Sequence, residues 1–291
     1  MVEKEKHDPN GQVWPLSEGN RAYLEDQILK LSSEETPEVN SANPKEVRLL
    51  MDKAIEVTTV LEEAARQRPK NIHPDTDVVW VLSAPGSYSS DFQEPGGKVR
   101  PGDKHKAQYQ VFPWVKEMYR HRVHTGVALV HEITAKRIGK PVQEITQEDI
   151  RKHGPWFVYN PQPEEEEQIR EVLADPALKI PPEKVFIFSS VIQADGTEYP
   201  IYNTVDQVKG LRFPLHPRRV AIVSHAPHLV RVFFTLDYFK DRIPKGTTVQ
   251  AFPIKTPIGG ELKYPEMEIR AILAYTYKYE VSGKEPADFE I

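Results

Sequence analysis

The chain has no cysteine, which removes disulfides, thiolate nucleophiles and thiolate metal sites together. It also lacks any apolar run near the roughly 20 residues that a helix needs to cross a bilayer. The opening stretch Met1-Val2-Glu3-Lys4-Glu5-Lys6 carries no hydrophobic core of the kind a signal peptide requires. Basic charge is not in excess: the net charge is −5, opposite in sign to the footprint of a nucleic-acid binder. These absences predict a soluble, cytoplasmic protein that engages neither membrane nor nucleic acid. What is present is a chain of 291 residues, 28% charged and 39% hydrophobic, long enough to bury a substantial core. Its 26 prolines imply long loops and abrupt element ends.

Four short runs are apolar, the first after its opening aspartate: 77–82 (DVVWVL), 156–159 (WFVY), 185–188 (VFIF) and 220–223 (VAIV). Runs that do not alternate with polar residues read as strands buried on both faces of a parallel sheet. Thr248 to Ile254 reads as a further strand, and Asp195-Gly196 as the turn of a hairpin-like excursion. Helical periodicity fills the intervals. Asn20 to Leu31 places Tyr23, Leu24, Ile28 and Leu31 on one face, and Ser32 to Pro44 follows as a loop. Pro44 opens a helix to Gln67 with Val47, Leu50, Met51, Ala54, Val57, Val60 and Leu61 on its stripe. Further helices are expected over 107–139, from Thr146 with Asp149 as a capping pair, and over 164–173, 203–212, 226–240 and 266–279. Strands alternating with helices imply an α/β fold, Rossmann-like, with a mainly parallel sheet and helices on both faces. We divide it into a helical N-terminal extension, 1–74, and an α/β domain, 75–291, carrying a helical insertion at about 95–155.

Ligands of open α/β sheets sit outside the carboxyl ends of the strands, where this chain places its polar clusters. Ser83, Gly86 and Ser87 follow the first strand and could hold a phosphate or carboxylate on backbone N–H groups, or form an ordinary turn. The pattern is not a G-x-G-x-x-G dinucleotide fingerprint. Asn160 follows the second strand. Asn203, Thr204 and Asp206 could bind a polar ligand or cap a helix. Ser224, His225 and His228 follow the 220–223 strand. Either histidine suits an anion-binding or acid–base role, or a turn and cap role. Their i, i+3 spacing across Pro227, with no evident third ligand, does not make a metal site. Arg231 could fork onto a phosphate or carboxylate, or pair with Asp206 or Asp237. The catalytic candidates are therefore His225, His228 and Asp206. A Ser-His-Asp set can be assembled from Ser83 or Ser224, His225 and Asp206, but no G-x-S-x-G elbow supports it.

Several segments, in order, resemble the YdcF/SanA/ElyC family of bacterial α/β proteins over roughly residues 75–255. They are the strand Val78 to Leu82, the acidic helix start EEEQIREVLAD at 165–175 and the strand entry IPPEKVFI at 180–187. The segments Asn203-Thr204-Val205-Asp206-Gln207 and Val220 to Arg231 complete the likeness. Departures are plain: Ser83-Ala84-Pro85 stands where the family has Leu-Gly, and Asn160-Pro161-Gln162-Pro163 where it has Ser-Gly-Gly. An excursion at about Gln193 to Tyr202 and helical material before 75 and between 95 and 155 are also added. The resemblance implies a Rossmann-like fold, an acidic residue (Glu165 or Glu166) facing the cleft, and a small anionic or nucleotide-like ligand. S-adenosylmethionine, bound by one family member, is a candidate cofactor. Most family members linked to envelope polymers carry a membrane anchor, and none is seen in this sequence. No nucleophile is carried over. The expected function is ligand binding at the strand carboxyl edge, with or without catalysis. The alternative is a non-catalytic partner-binding or oligomeric scaffold built on the added helices.

Overall fold

Buried parallel strands need hydrophobic cover on both faces, and the chain supplies it from helices drawn from its whole length. The computed structural model describes residues 13–67, 72–83 and 115–291. Its main sheet has five strands in the order β3-β2-β1-β6-β7, every pair parallel. These are β1 Val78–Leu82, β2 Trp156–Asn160, β3 Val185–Ile187, β6 Arg219–His225 and β7 Thr248–Ile254. The four runs expected to share a sheet do so, and 248–254 adds the fifth strand. A separate antiparallel hairpin, β4 Ser190–Ile192 with β5 Glu198–Pro200, forms the excursion around Gly196, whose φ of 83° suits glycine.

Alternation along the strands sorts side chains into two cores. Val78, Trp80 and Leu82 of β1 and Val220 and Ile222 of β6 face one side. Val79, Val81, Ala221 and Val223 face the other. The first side is covered by α1 Glu18–Glu35, α3 Pro44–Gln67, α8 Ala226–Tyr238 and α9 Lys263–Tyr277. The second is covered by α4 Val115–Ile138, with Ile150 of α5 Gln147–His153 and Ile169 and Leu173 of α6 Glu166–Leu173. Two smaller helices, α2 Pro37–Ser41 and α7 Thr204–Lys209, complete the set. The fold is thus an α/β, Rossmann-like sheet with helices on both faces.

The N-terminal helices are part of this core. Leu24 and Ile28 of α1 and Leu50, Ala54 and Leu61 of α3 belong to the same buried cluster as Trp80 and Ile222. The α3 stripe runs through Ile55 and Thr58, while Val60 is 43% exposed, because a 3.6-residue repeat through 47, 51, 54 and 58 leaves position 60 outside the arc. Tyr23 likewise points outward. Residues 32–44, read as a loop, instead extend α1 and add α2, where Pro37 at the start and a buried Val39 hold one more turn. The capping pair at α5 is present: Thr146 Oγ1 accepts from Asp149 N at 3.1 Å, and Asp149 Oδ2 accepts from Thr146 N at 3.0 Å. Expected over 203–212, α7 ends at Lys209 with Gly210 as its C-cap.

The chain moves outward from β1 through β2 to β3, then returns to lay β6 on the other side of β1. The strand order therefore reverses between β1 and β6, and their carboxyl ends flank the crevice where open α/β sheets bind ligands.

Candidate functional site

At this reversal β6 runs into α8 without a loop, with His225 as the N-cap in an extended conformation and no side-chain hydrogen bond closing the cap. On the opposite face α4, the crossover helix from β1 to β2, brings Arg122 under the same edge. Gly126 permits this approach: a Cβ there would lie 2.3 Å from Val81 Cγ2 and 3.0 Å from Phe157 Cε2. One turn earlier, Arg122 is wholly buried. Its Nε donates to His225 Nδ1 at 3.1 Å, one terminal nitrogen donates to the carbonyls of Leu82 (3.2 Å) and Ser83, and the other donates to Tyr264 Oη at 3.0 Å. All of these acceptors are neutral. Among the described residues no carboxylate pairs with this guanidinium.

His225 is fully buried, and burial, then Arg122 and His121, hold its pKa well below the ordinary histidine value. An arginine Nε–H can only donate, so His225 Nδ1 must be the bare, accepting nitrogen and the ring proton resides on Nε2. Nε2 is buried and has no hydrogen-bond partner among the described residues. Tyr264 is held as the neutral phenol, its pKa pushed far up, chiefly by burial.

His228, one turn into α8, stands between two hydroxyls: Nδ1 lies 2.9 Å from Ser224 Oγ and Nε2 lies 3.0 Å from Thr204 Oγ1. All three residues are buried, and burial, reinforced by Arg122 and Arg231, keeps this imidazole neutral as well. Either tautomer is compatible with two hydroxyls, so the chain Thr204–His228–Ser224 can shift a proton along its length. Asn203, exposed, caps α7 through Oδ1, which accepts from Asp206 N at 3.0 Å. Asp206 Oδ2 reaches back to Tyr202 N at 3.1 Å, and burial raises the Asp206 pKa. Asn203 is thus the N-cap of α7, and the Asp206 carboxylate ties the residue before that cap to the first turn.

Ser83 and Asn160 are held by protein groups. Asn160 accepts from Trp80 Nε1 and donates to the Gln207 carbonyl, both at 2.9 Å. Gln207 Nε2 donates to Ser83 Oγ at 2.5 Å and to the Asn160 carbonyl at 3.1 Å. These bonds strap the ends of β1 and β2 to α7. Glu166 accepts from Ser189 Oγ and Arg170; desolvation pushes its carboxyl up, but these hydrogen bonds and the nearby arginines together outweigh it and lower the pKa. Gly86 and Ser87 lie outside the described residues.

Arg231 departs from both partners read from sequence. Its Nε lies 2.8 Å from Oε2 of Glu268, whose side chain is fully buried on α9, and its guanidinium sits 5.8 Å from the Tyr275 ring. Asp206 and Asp237 do not pair with it. A charged residue on a helix face toward the protein interior takes a buried counter-ion, and the i, i+4 step from Tyr264 to Glu268 puts one there.

Sequence reading missed Arg122, Tyr264 and Glu268, and named Gln207 only within the Asn203–Gln207 segment. The signal for Arg122 was topological: a crossover helix leaving a parallel strand begins at that strand's carboxyl edge, so a cation in its early turns faces the site. Placing 95–155 in an insertion hid this. Tyr264 was obscured by starting the last helix at Glu266, two residues past it, and Glu268 by its 37-residue separation from Arg231. Among the described residues no group of three or more histidine, aspartate or glutamate side chains gathers as a metal site, and no described helix is long and apolar enough to cross a membrane. Comparisons with family models, curated proteins and solved structures return no match.

Proposed function

We propose that the protein binds a small anionic or nucleotide-like molecule at the carboxyl edge of β1 and β6, as an enzyme or as a binding protein. The resemblance to the YdcF/SanA/ElyC family supports the same reading and brings S-adenosylmethionine in as a candidate. One observation carries it: the guanidinium of Arg122 is buried at the strand-order reversal and, among the described residues, its hydrogen bonds are met only by neutral groups. Carbonyls, a phenol and an imidazole satisfy donors but leave the charge uncompensated, and an uncompensated buried charge costs several kcal/mol. An incoming phosphate or carboxylate supplies the missing counter-charge.

The other class of function, a non-catalytic scaffold docking through the added helices, draws less support. The apolar stripes of α1 and α3 are used on the shared core. Thermal unfolding in the presence of inorganic phosphate, pyrophosphate, nucleoside phosphates and S-adenosylmethionine tests the proposal. A ligand at 100 times its Kd stabilises the fold by about 2.7 kcal/mol. If no anion raises the melting temperature, the ligand reading fails.

A further inference from the structure

We infer that Arg122 locks His225 as the Nε2–H tautomer, so that His225 donates a hydrogen bond from Nε2 to an anionic oxygen of the ligand and does not serve as a general base. The inference rests on the ligand site proposed above and assigns its donor. Four observations converge. The 3.1 Å bond from Arg122 Nε occupies Nδ1 with a donor that cannot reverse its role. The guanidinium is itself fixed by Leu82 O, Ser83 O and Tyr264 Oη, so it cannot swing away to free Nδ1. Nε2 is buried without a partner, and an orphaned buried donor carries a desolvation cost that a ligand acceptor would relieve. Finally, the groups facing the ring are Arg122 and His121 from α4, Tyr264 from α9 and His228 from α8. None of these described groups is a carboxylate, so none of them favours the imidazolium.

A base must offer a lone pair, and this ring offers only an N–H. A fixed neutral imidazole that presents an N–H toward developing or resident negative charge polarises an oxygen instead. Arg122 is then a positioning residue, acting through His225 and contributing its charge. Its own fork is spent on the protein. His228, flanked by two hydroxyls, is the histidine of this site able to accept a proton.

The test is long-range proton–nitrogen NMR on the full chain with labelled histidine. The expected result is a His225 signal with bare Nδ1 and protonated Nε2, unchanged from pH 8 to pH 5. Inorganic phosphate or pyrophosphate should move the Nε2 proton downfield. His225→Phe should weaken phosphate about 10- to 150-fold, the range for a hydrogen bond to a charged group. Arg122→Met, which keeps the volume and removes the donor, should release the tautomer, so that a protonated Nδ1 appears beside the protonated Nε2. If that variant does not fold, the wild-type spectrum still decides. A protonated Nδ1, or an imidazolium at pH 7, overturns the inference even if phosphate stabilises the fold. Phosphate that binds without moving Nε2 overturns it too and leaves the ligand site standing. If the tautomer is as expected but no anion binds, the proposed ligand site falls and the donor role with it.

Discussion

Replacing Arg231 by alanine would leave the Glu268 carboxylate with its fully buried side chain deprived of the guanidinium that lies 2.8 Å away. Arg231 is itself only 13% exposed in its side chain, so solvent screens the pair poorly. Breaking a buried ion pair from one side costs about 3–5 kcal/mol, because the remaining charge keeps its desolvation penalty and loses its partner. Against a typical total of about 5–15 kcal/mol for a folded protein, that is a large fraction. At about 2 °C per kcal/mol for a chain of this size, the midpoint of thermal unfolding should fall by roughly 6–10 °C. Urea denaturation at pH 7 reads the loss directly as a drop in midpoint at unchanged slope. The control is the double change Arg231→Met with Glu268→Leu, which removes both charges and fills the space. It should recover most of the stability, since apolar replacement of a buried pair is often neutral or better. An Arg231→Ala protein within about 0.5 kcal/mol of the parent, the spread expected of an ordinary surface change, would refute the structural assignment. It would return Arg231 to the ligand cleft as an anion anchor.

Three further outcomes are expected. Gly126→Ala should destabilise by up to about 2 kcal/mol in urea, since overpacking against Val81 costs about 1–3 kcal/mol and the gain in helix propensity returns about 1; an alanine variant more stable than the parent would mean that α4 does not approach β1 this closely. Glu62 accepts from Thr256 N at 3.1 Å in a buried position, and burial, against those hydrogen bonds, raises its pKa. Its contribution to stability is therefore full below the ordinary glutamate pKa and is lost as pH rises through the raised folded value. Glu62→Gln, which keeps an acceptor and cannot ionise, should gain on the parent as pH rises from 4 to 8, and a flat difference would contradict the shift. Asn203→Ala should cost about 1 kcal/mol as a lost N-cap while leaving phosphate affinity unchanged; a loss of affinity would make Asn203 a ligand group as well.

The sheet was legible because its strands are buried on both faces. Runs such as Val220 to Val223 are apolar throughout because helices cover both of their faces. The cap at Asn203 and the box at Thr146 were legible for a similar reason, since short-range hydrogen bonding leaves its residue types in fixed spacing. Charge pairing leaves no such trace. Arg231 and Glu268 are separated by 37 residues, and Arg122 and His225 by 103. Only the packing of α9 and α4 against opposite faces of the sheet decides which cation meets which partner. Local sequence therefore places the polar clusters at one edge of the sheet and does not identify the counter-ion of Arg231.

The two histidines show what that difference means for function. In sequence His225 and His228 are near-equivalent, three residues apart after one strand. In the fold the parity of β6 turns His225 toward the α4 face, where the partner waiting for it is a guanidinium. The first turn of α8 turns His228 toward α7, where its partner is the Thr204 hydroxyl. A donor that cannot reverse fixes one ring as an N–H, and a hydroxyl that can reverse leaves the other free to exchange protons. Two residues of one type thus acquire different chemistry from the layers they face. An oxygen held by His225 with a proton handled by His228 is the division of labour to look for in any reaction at this edge.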